Sequence, residues 1–145
     1  VTVFQFLGVV IVLFFIFFKE WYYLKTFLVG LVGTSIVIFG LKNLLQVPRP
    51  LDGYIVETGY AMPSGHAGLS FFLATFFIYY IVRLPENKIT ETISWMIFLL
   101  TAIAIGASRV ILQVHTIEQV IFGALIGICV PIFIFLVTRK NNSKQ

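Results

Sequence analysis

Long apolar runs without charge constrain this chain more than any other feature. Val1–Phe18 holds no charged residue at all. A bilayer core accepts a helix of about 20 apolar residues, with a lower limit near ~17. Breaking the sequence at charges and prolines leaves five such runs. They are Val1–Phe18, about Leu24–Leu41, about Ser64–Val82, roughly Ile93–Ala107 and roughly Thr116–Thr138, with Pro131 expected to kink the last. A barrel is the other spanning structure, but it needs alternating strands of ~10 residues, and Val9–Phe18 does not alternate. The expected fold class is therefore all-α: an integral membrane helical bundle of five transmembrane helices, forming a single domain over residues 1–145.

The connections agree with that division. Lys19, Glu20, Trp21, Tyr22 and Tyr23 form an aromatic and charged interface signal. Lys42 to Ala61 is rich in breakers, with Pro48, Pro50 and an Asp52-Gly53 turn. Arg83, Pro85, Glu86, Asn87 and Lys88 make a short polar link, and Arg139 to Gln145 is a polar tail. Val1–Phe18 has neither a basic flank before it nor a small-residue cleavage site after it, so it reads as a retained helix rather than a signal peptide. The chain opens on Val1, not methionine, so a native start ahead of it is an open possibility.

Composition removes the other classes. Only 11% of residues are charged and 59% are hydrophobic, against ~25% charged in soluble domains. That is too little polar surface for a soluble globule and too much hydrophobicity for disorder. The net charge of +4 comes from scarce acids rather than a basic patch, which excludes a nucleic-acid partner. One cysteine, Cys129, excludes an internal disulfide framework and a multi-cysteine zinc site, and is expected as a buried apolar filler. Phe14, Phe15, Phe17 and Phe18 are expected to face lipid.

The basic residues set the topology. Lys19, Lys25, Arg83, Lys88, Arg139, Lys140 and Lys144 fall on one side of the bundle, and Lys42, Arg49 and Arg109 on the other. Positive charge marks the cytoplasmic side, so the three-cation side faces outward. Those three cations oppose the topological bias and need another reason to be there.

A phosphate site supplies one. Lys42 sits at the end of the second helix, Arg49 between two prolines, Ser64-Gly65-His66 at the start of the third helix, Ser108-Arg109 at the end of the fourth, and His115 at the start of the fifth. In an up-and-down bundle these ends meet at one face. Arginine grips phosphate with a planar fork, and lysine adds a point charge. A helix N-terminus offers free N–H groups, and a glycine there lets the backbone approach an anion. Two histidines can divide the chemistry into nucleophile and proton donor.

Lys42-x6-Arg49-Pro50, Pro63-Ser64-Gly65-His66 and Ser108-Arg109-x5-His115 together resemble the three-part signature of the type 2 phosphatidic acid phosphatase superfamily. The resemblance runs from Lys42 to about Gly127. It implies a membrane phosphatase without metal or other cofactor, working through a phosphohistidine. Carried over, His115 is the nucleophile and His66 protonates the leaving oxygen. Lys42, Arg49 and Arg109 hold the phosphate, with Ser64, Gly65 and Ser108 completing the cradle. The implied substrate is a lipid phosphate or diphosphate, of the undecaprenyl diphosphate, phosphatidylglycerophosphate, phosphatidate or lipid A 1-phosphate class. The implied setting is a bacterial inner or plasma membrane, with the site on its outer face.

The chain departs from the family pattern twice. Where the family usually orients the nucleophilic histidine with an aspartate four residues on, this chain has Gln119. Branches similar to the dolichyl diphosphate and glucose-6-phosphate phosphatases tolerate glutamine there. Gln119 also suits a capping box, Thr116-x-x-Gln119, and Glu118 suits the first turn of a helix. Many membrane members have six helices rather than five, so one is absent by nature or precedes the sequence. Two other readings use the same residues: a lipid phosphotransferase, or a catalytically silent lipid-phosphate binder. A metal-dependent hydrolase built on His66, His115 and Glu118 fits poorly, because three cations would repel the ion.

Overall fold

The structure, a computed structural model, describes residues 2–50, 54–55, 57–84 and 87–142, with side chains described within 4–138. The expected Asp52-Gly53 turn, Pro85-Glu86 and the tail beyond residue 142 lie outside the described residues. Five helices follow in order: α1 (Thr2–Phe17), α2 (Trp21–Leu45), α3 (Gly65–Ile81), α4 (Lys88–Ile111) and α5 (Ile117–Asn142). The described residues contain no strand. Trp21–Leu45, Lys88–Ile111 and Ile117–Thr138 are long and apolar enough to cross a bilayer, while Phe4–Phe17 and Gly65–Ile81 are apolar but shorter.

Several boundaries differ from the sequence expectation, each for a local reason. α2 begins at Trp21 and runs on to Leu45, so its aromatic entry is helical and Lys42 lies inside its last turn. It stops where Gln46 takes a left-handed conformation and returns its N–H to the Lys42 carbonyl, just before Pro48 forbids further helix. α4 starts five residues earlier than expected, at Lys88, because the Asn87 side chain caps it by accepting from Thr90 N–H at 2.8 Å. It also extends to Ile111, which places Ser108 and Arg109 within its final turn rather than after it.

α3 is the central helix, packed mainly against α5 and α4 and also against α2; α1 leans on α2. The hydrophobic core joins Ile11 and Phe15 of α1, Leu24 and Phe27 of α2, Phe72 and Phe76 of α3, and Phe135 of α5. Two expectations fail here. Phe15 does not face lipid: it is fully buried, its ring 5.9 Å from Phe76 and 5.3 Å from Tyr80. It lies on the face of α1 that meets the bundle, while Phe14, Phe17 and Phe18 stay exposed. Cys129 is exposed rather than buried, because α5 turns its small residues, not this one, toward α3.

Candidate active site

The site begins with an unusually close helix pair. Ser64 caps α3, its hydroxyl accepting from Ala67 N–H at 3.5 Å, and its own N–H donates to the Gln119 carbonyl at 3.0 Å. This backbone-to-backbone approach needs Gly123. A Cβ there would overlap the Ser64 carbonyl and stand 3.2 Å from Ser64 N. One turn on, a Cβ at Gly127 would overlap the Gly68 carbonyl and stand 2.8 Å from Phe72 N. Gly123-x3-Gly127 is the small-residue spacing that lets membrane helices touch backbone to backbone. Sequence reading passed over it, although the spacing was there to be seen. Its consequence is that the start of α3, with His66, is held rigidly to the start of α5, beside His115.

His115 lies in the turn between α4 and α5 and is buried, 3% exposed. Its Nδ1 is 3.1 Å from Gln119 Oε1, and the same oxygen accepts from Thr116 N–H at 3.1 Å. A backbone N–H can only donate, so the atom it meets must be the amide oxygen. Nδ1 facing that oxygen must then carry the proton. On the other side, Nε2 is 3.3 Å from Arg49 Nη1, a group that only donates, so Nε2 must offer its lone pair. Two independent contacts thus select one tautomer, with Nε2 free of hydrogen. Burial pushes the His115 pKa down to about 4; the Gln119 contact opposes that shift, and the Arg49 charge adds to it. Gln119 therefore serves as helix cap and histidine partner at once, through one oxygen.

The cations surround this imidazole. Lys42 donates to the Tyr60 carbonyl. Arg49 donates from Nε to the Gly59 carbonyl at 3.1 Å and from Nη1 to the Val114 carbonyl at 3.3 Å. Gly59 takes a positive φ of 79°, a conformation open to glycine, and so turns its carbonyl toward Arg49. Arg109 is buried, and its Nε is without a hydrogen-bond partner among the described residues. One acid joins the two arginines. Glu57 pairs with Arg49 at 2.9 Å through one oxygen and with Arg109 through the other. Glu57 was missed from sequence, since a single acid in a breaker-rich loop carries no spacing signal.

Lys42, Arg49, Gly65, His66 and His115, with Glu57 and Thr58, line one cavity of about 940 Å³. Arg109 reaches this group through Glu57. Ser64 and Ser108 turn their hydroxyls to backbone, Ser64 as the α3 cap and Ser108 to the Ile105 carbonyl at 2.7 Å. Phe4 of α1 packs edge-on against His66, ring centroids 5.7 Å apart. Chemically, the arrangement offers an unprotonated imidazole nitrogen facing a guanidinium, a second imidazole and the Lys42 ammonium in one recess, with Arg109 behind Glu57.

The chain is similar to several known proteins. Human dolichyldiphosphatase 1 is 31% identical over 135 residues, which covers 86% of this chain and 57% of that protein. A Dictyostelium discoideum dolichyldiphosphatase 1 is 32% identical over 104 residues, 69% of this chain and 45% of that one. The chain thus spans little more than half the length of the human relative. Among solved structures, a transmembrane PAP2 type phosphatidylglycerolphosphate phosphatase from Bacillus subtilis superposes with a TM-score of 0.82 at 23% identity, covering 92% of this chain and 68% of that one. Aquifex aeolicus LpxE superposes with a TM-score of 0.72 at 25% identity, covering 92% and 82%. The PAP2 superfamily matches residues 21–143, a stretch that contains every residue of the cation and histidine cluster. With its fold and its sequence both pointing the same way, the chain belongs to the PAP2 superfamily.

Proposed function

We propose that this chain is a membrane-embedded lipid phosphatase that hydrolyses a phosphomonoester or diphosphate through a phosphohistidine on His115. The observation that carries the reading is the imidazole of His115: buried, fixed in one tautomer, with its lone pair directed at Arg49. Nε2 attacks phosphorus as the bond to the leaving oxygen breaks, and His66 gives its proton to that oxygen. Water, deprotonated by His66, then attacks the phosphohistidine and releases inorganic phosphate, which restores both imidazoles. Lys42, Arg49 and Arg109 stabilise the charge on the transferring group. The Nε of Arg109, without a hydrogen-bond partner among the described residues, is a donor suited to a phosphate oxygen. Glu57 holds both arginines as a phosphate would, and the incoming phosphate takes over those contacts. Ser64, Gly65 and Ser108 act by shaping the backbone at the helix ends.

All five helices cross the membrane in this reading, as one domain over residues 1–145, with the site on the outer face. Dolichyldiphosphatase relatives and the two phosphatase structures support a substrate whose phosphate is carried by a lipid. The test is release of inorganic phosphate from a short-chain lipid phosphate by purified protein in excess EDTA, then across polyprenyl diphosphate, phosphatidylglycerophosphate and phosphatidate. Steady release with the chelator present supports the reading. No release from any of them, or release that a divalent ion must restore, removes it. Phosphate passed to an added alcohol in preference to water would reassign the chain as a phosphotransferase.

A further inference from the structure

The two histidines are held in different ways. Both ring nitrogens of His115 meet a polar group, Arg49 on one side and Gln119 on the other. The His66 imidazole makes no hydrogen bond to protein among the described residues. Its ring is met instead by Phe4, with centroids 5.7 Å apart and planes inclined at 63°. Edge-on pairs of this kind are directional, because the positive rim of one ring seeks the negative face of the other.

Phe4 belongs to α1, which lies outside the PAP2 match beginning at residue 21. Its place is set further down that helix. Phe4, Ile11 and Phe15 are seven and four residues apart, two turns and then one, and so share a face. Ile11 and Phe15 are buried in the core, where Phe15 meets Phe76 and Tyr80 of α3. From Phe4 to Phe15 is eleven residues, about 16 Å at ~1.5 Å each. On α3, from His66 to Phe76 is ten residues, about 15 Å. The two intervals match, so seating Phe15 on Phe76 brings Phe4 level with His66. α1 is thus a strut with its foot in the core and its head on an active-site histidine. Phe4 itself is half-buried and stands outside the core cluster.

We propose that Phe4 is a positioning residue for His66: its ring holds the imidazole in the orientation from which a proton passes to the leaving oxygen. The proposal rests on the phosphatase reading above and adds what orients its general acid. In the first step the bond from His115 Nε2 to phosphorus forms, the bond to the leaving oxygen breaks, and that oxygen takes the His66 proton. How much the proton matters depends on the leaving oxygen. A nitrophenolate departs without one, whereas an alkoxide needs it. The effect of Phe4 therefore grows with the basicity of the leaving group. A residue that only shaped the pocket would affect every ester alike.

Two measurements test this. In the first, kcat/KM is read for para-nitrophenyl, phenyl and benzyl phosphate, esters of similar bulk with increasingly basic leaving oxygens. In Phe4→Ala the value for benzyl phosphate should fall roughly ten- to a hundredfold, as for a misplaced catalytic group, while that for para-nitrophenyl phosphate stays within about twofold of wild type. Phenyl phosphate should fall between them. Phe4→Tyr, which keeps the ring, should restore the wild-type pattern. Phe6→Ala, on the exposed side of α1, should never lose it. Equal losses on all three esters in Phe4→Ala, or no loss on any, overturn the proposal. A wild type inert toward all three removes the phosphatase reading, and the second measurement then decides, since it needs no turnover. The chain has two histidines, so their isotope-labelled rings give a simple NMR spectrum, assigned with His115→Ala. In Phe4→Ala the His66 ring signals should broaden or split as the imidazole samples more than one orientation, while those of His115 keep their positions and widths. His66 signals as sharp in Phe4→Ala as in the wild type overturn the proposal.

Discussion

At the end of the bundle where α1 stops and α2 starts, aromatic rings do the packing. Phe15, Phe27, Phe72 and Phe76 are fully buried, Tyr79 stacks on Phe135 with centroids 3.8 Å apart, and the Tyr22 hydroxyl sits 3.2 Å from that of Tyr79 and 3.3 Å from Thr138. At the opposite end, glycines bring backbone onto backbone, and one carboxamide oxygen serves two donors. The difference is one of tolerance. Rings fill space through many weak contacts and adapt to small shifts. The glycine end leaves no room even for a Cβ between α3 and α5, a constraint that suits the attack along one line proposed for His115. Ring packing thus concentrates at one end, and the proposed chemistry at the other.

Substitutions at five positions would break or sharpen that contrast. The largest effect belongs to His115→Ala, which should lower turnover on the order of 10⁴-fold or more, trap no phosphoenzyme and leave thermal stability close to wild type. His66→Ala should still accept phosphate from a substrate with a good leaving group. In the wild type, His115 is neutral above about pH 4 because its pKa is pushed down from 6.5. Corrected for substrate ionisation, the acidic limb of kcat/KM should therefore lie near 4 for the wild type, while the basic limb belongs to His66, which must hold a proton to give it to the leaving oxygen. An acidic limb at 6.5 would mean that the His115 imidazole is solvated.

Phe76→Ala is the mirror image. Removing a fully buried ring should cost about 3–5 kcal/mol of stability, visible as a lower melting temperature, with turnover per folded molecule retained. Gln119→Ala should touch both properties, because one oxygen caps α5 and holds His115. Turnover should fall roughly ten- to a hundredfold and stability by about 0.5–2 kcal/mol, while Gln119→Asp should keep or raise activity. A Gln119→Ala enzyme with full turnover would sever the link between cap and catalysis. The smallest effect is expected for Glu57→Gln. Freeing Arg49 and Arg109 from a largely buried carboxylate, 21% exposed, should tighten competitive inhibition by inorganic phosphate about two- to fivefold.

How far the site was legible from sequence depends on the kind of information each residue carries. Lys42, Arg49, His66, Arg109 and His115 were readable because their order and spacing form a pattern, and because cations on the wrong side of a membrane need a reason. Glu57 was not, since its role arises only when a loop folds back across two arginines from different elements. Gln119 was readable as either of two things, and in the fold its one oxygen faces both the Thr116 N–H and the His115 ring. Phe15 was misjudged because a run of four aromatics within five residues shows no periodicity from which to choose an inward face.

The sequence by itself determined the helices and their order, because in hydrocarbon a backbone has few ways to satisfy its own hydrogen bonds. It also determined which charged residues could meet, since helix ends alternate between two faces. Distances between helices were decided only in three dimensions. Whether α3 and α5 touch through glycine, which face of α1 enters the core and which lines the cavity, and which imidazole nitrogen holds the proton all depend on atoms from separate segments meeting. Such contacts are set by packing between segments far apart in the chain, and no local pattern of residues encodes them.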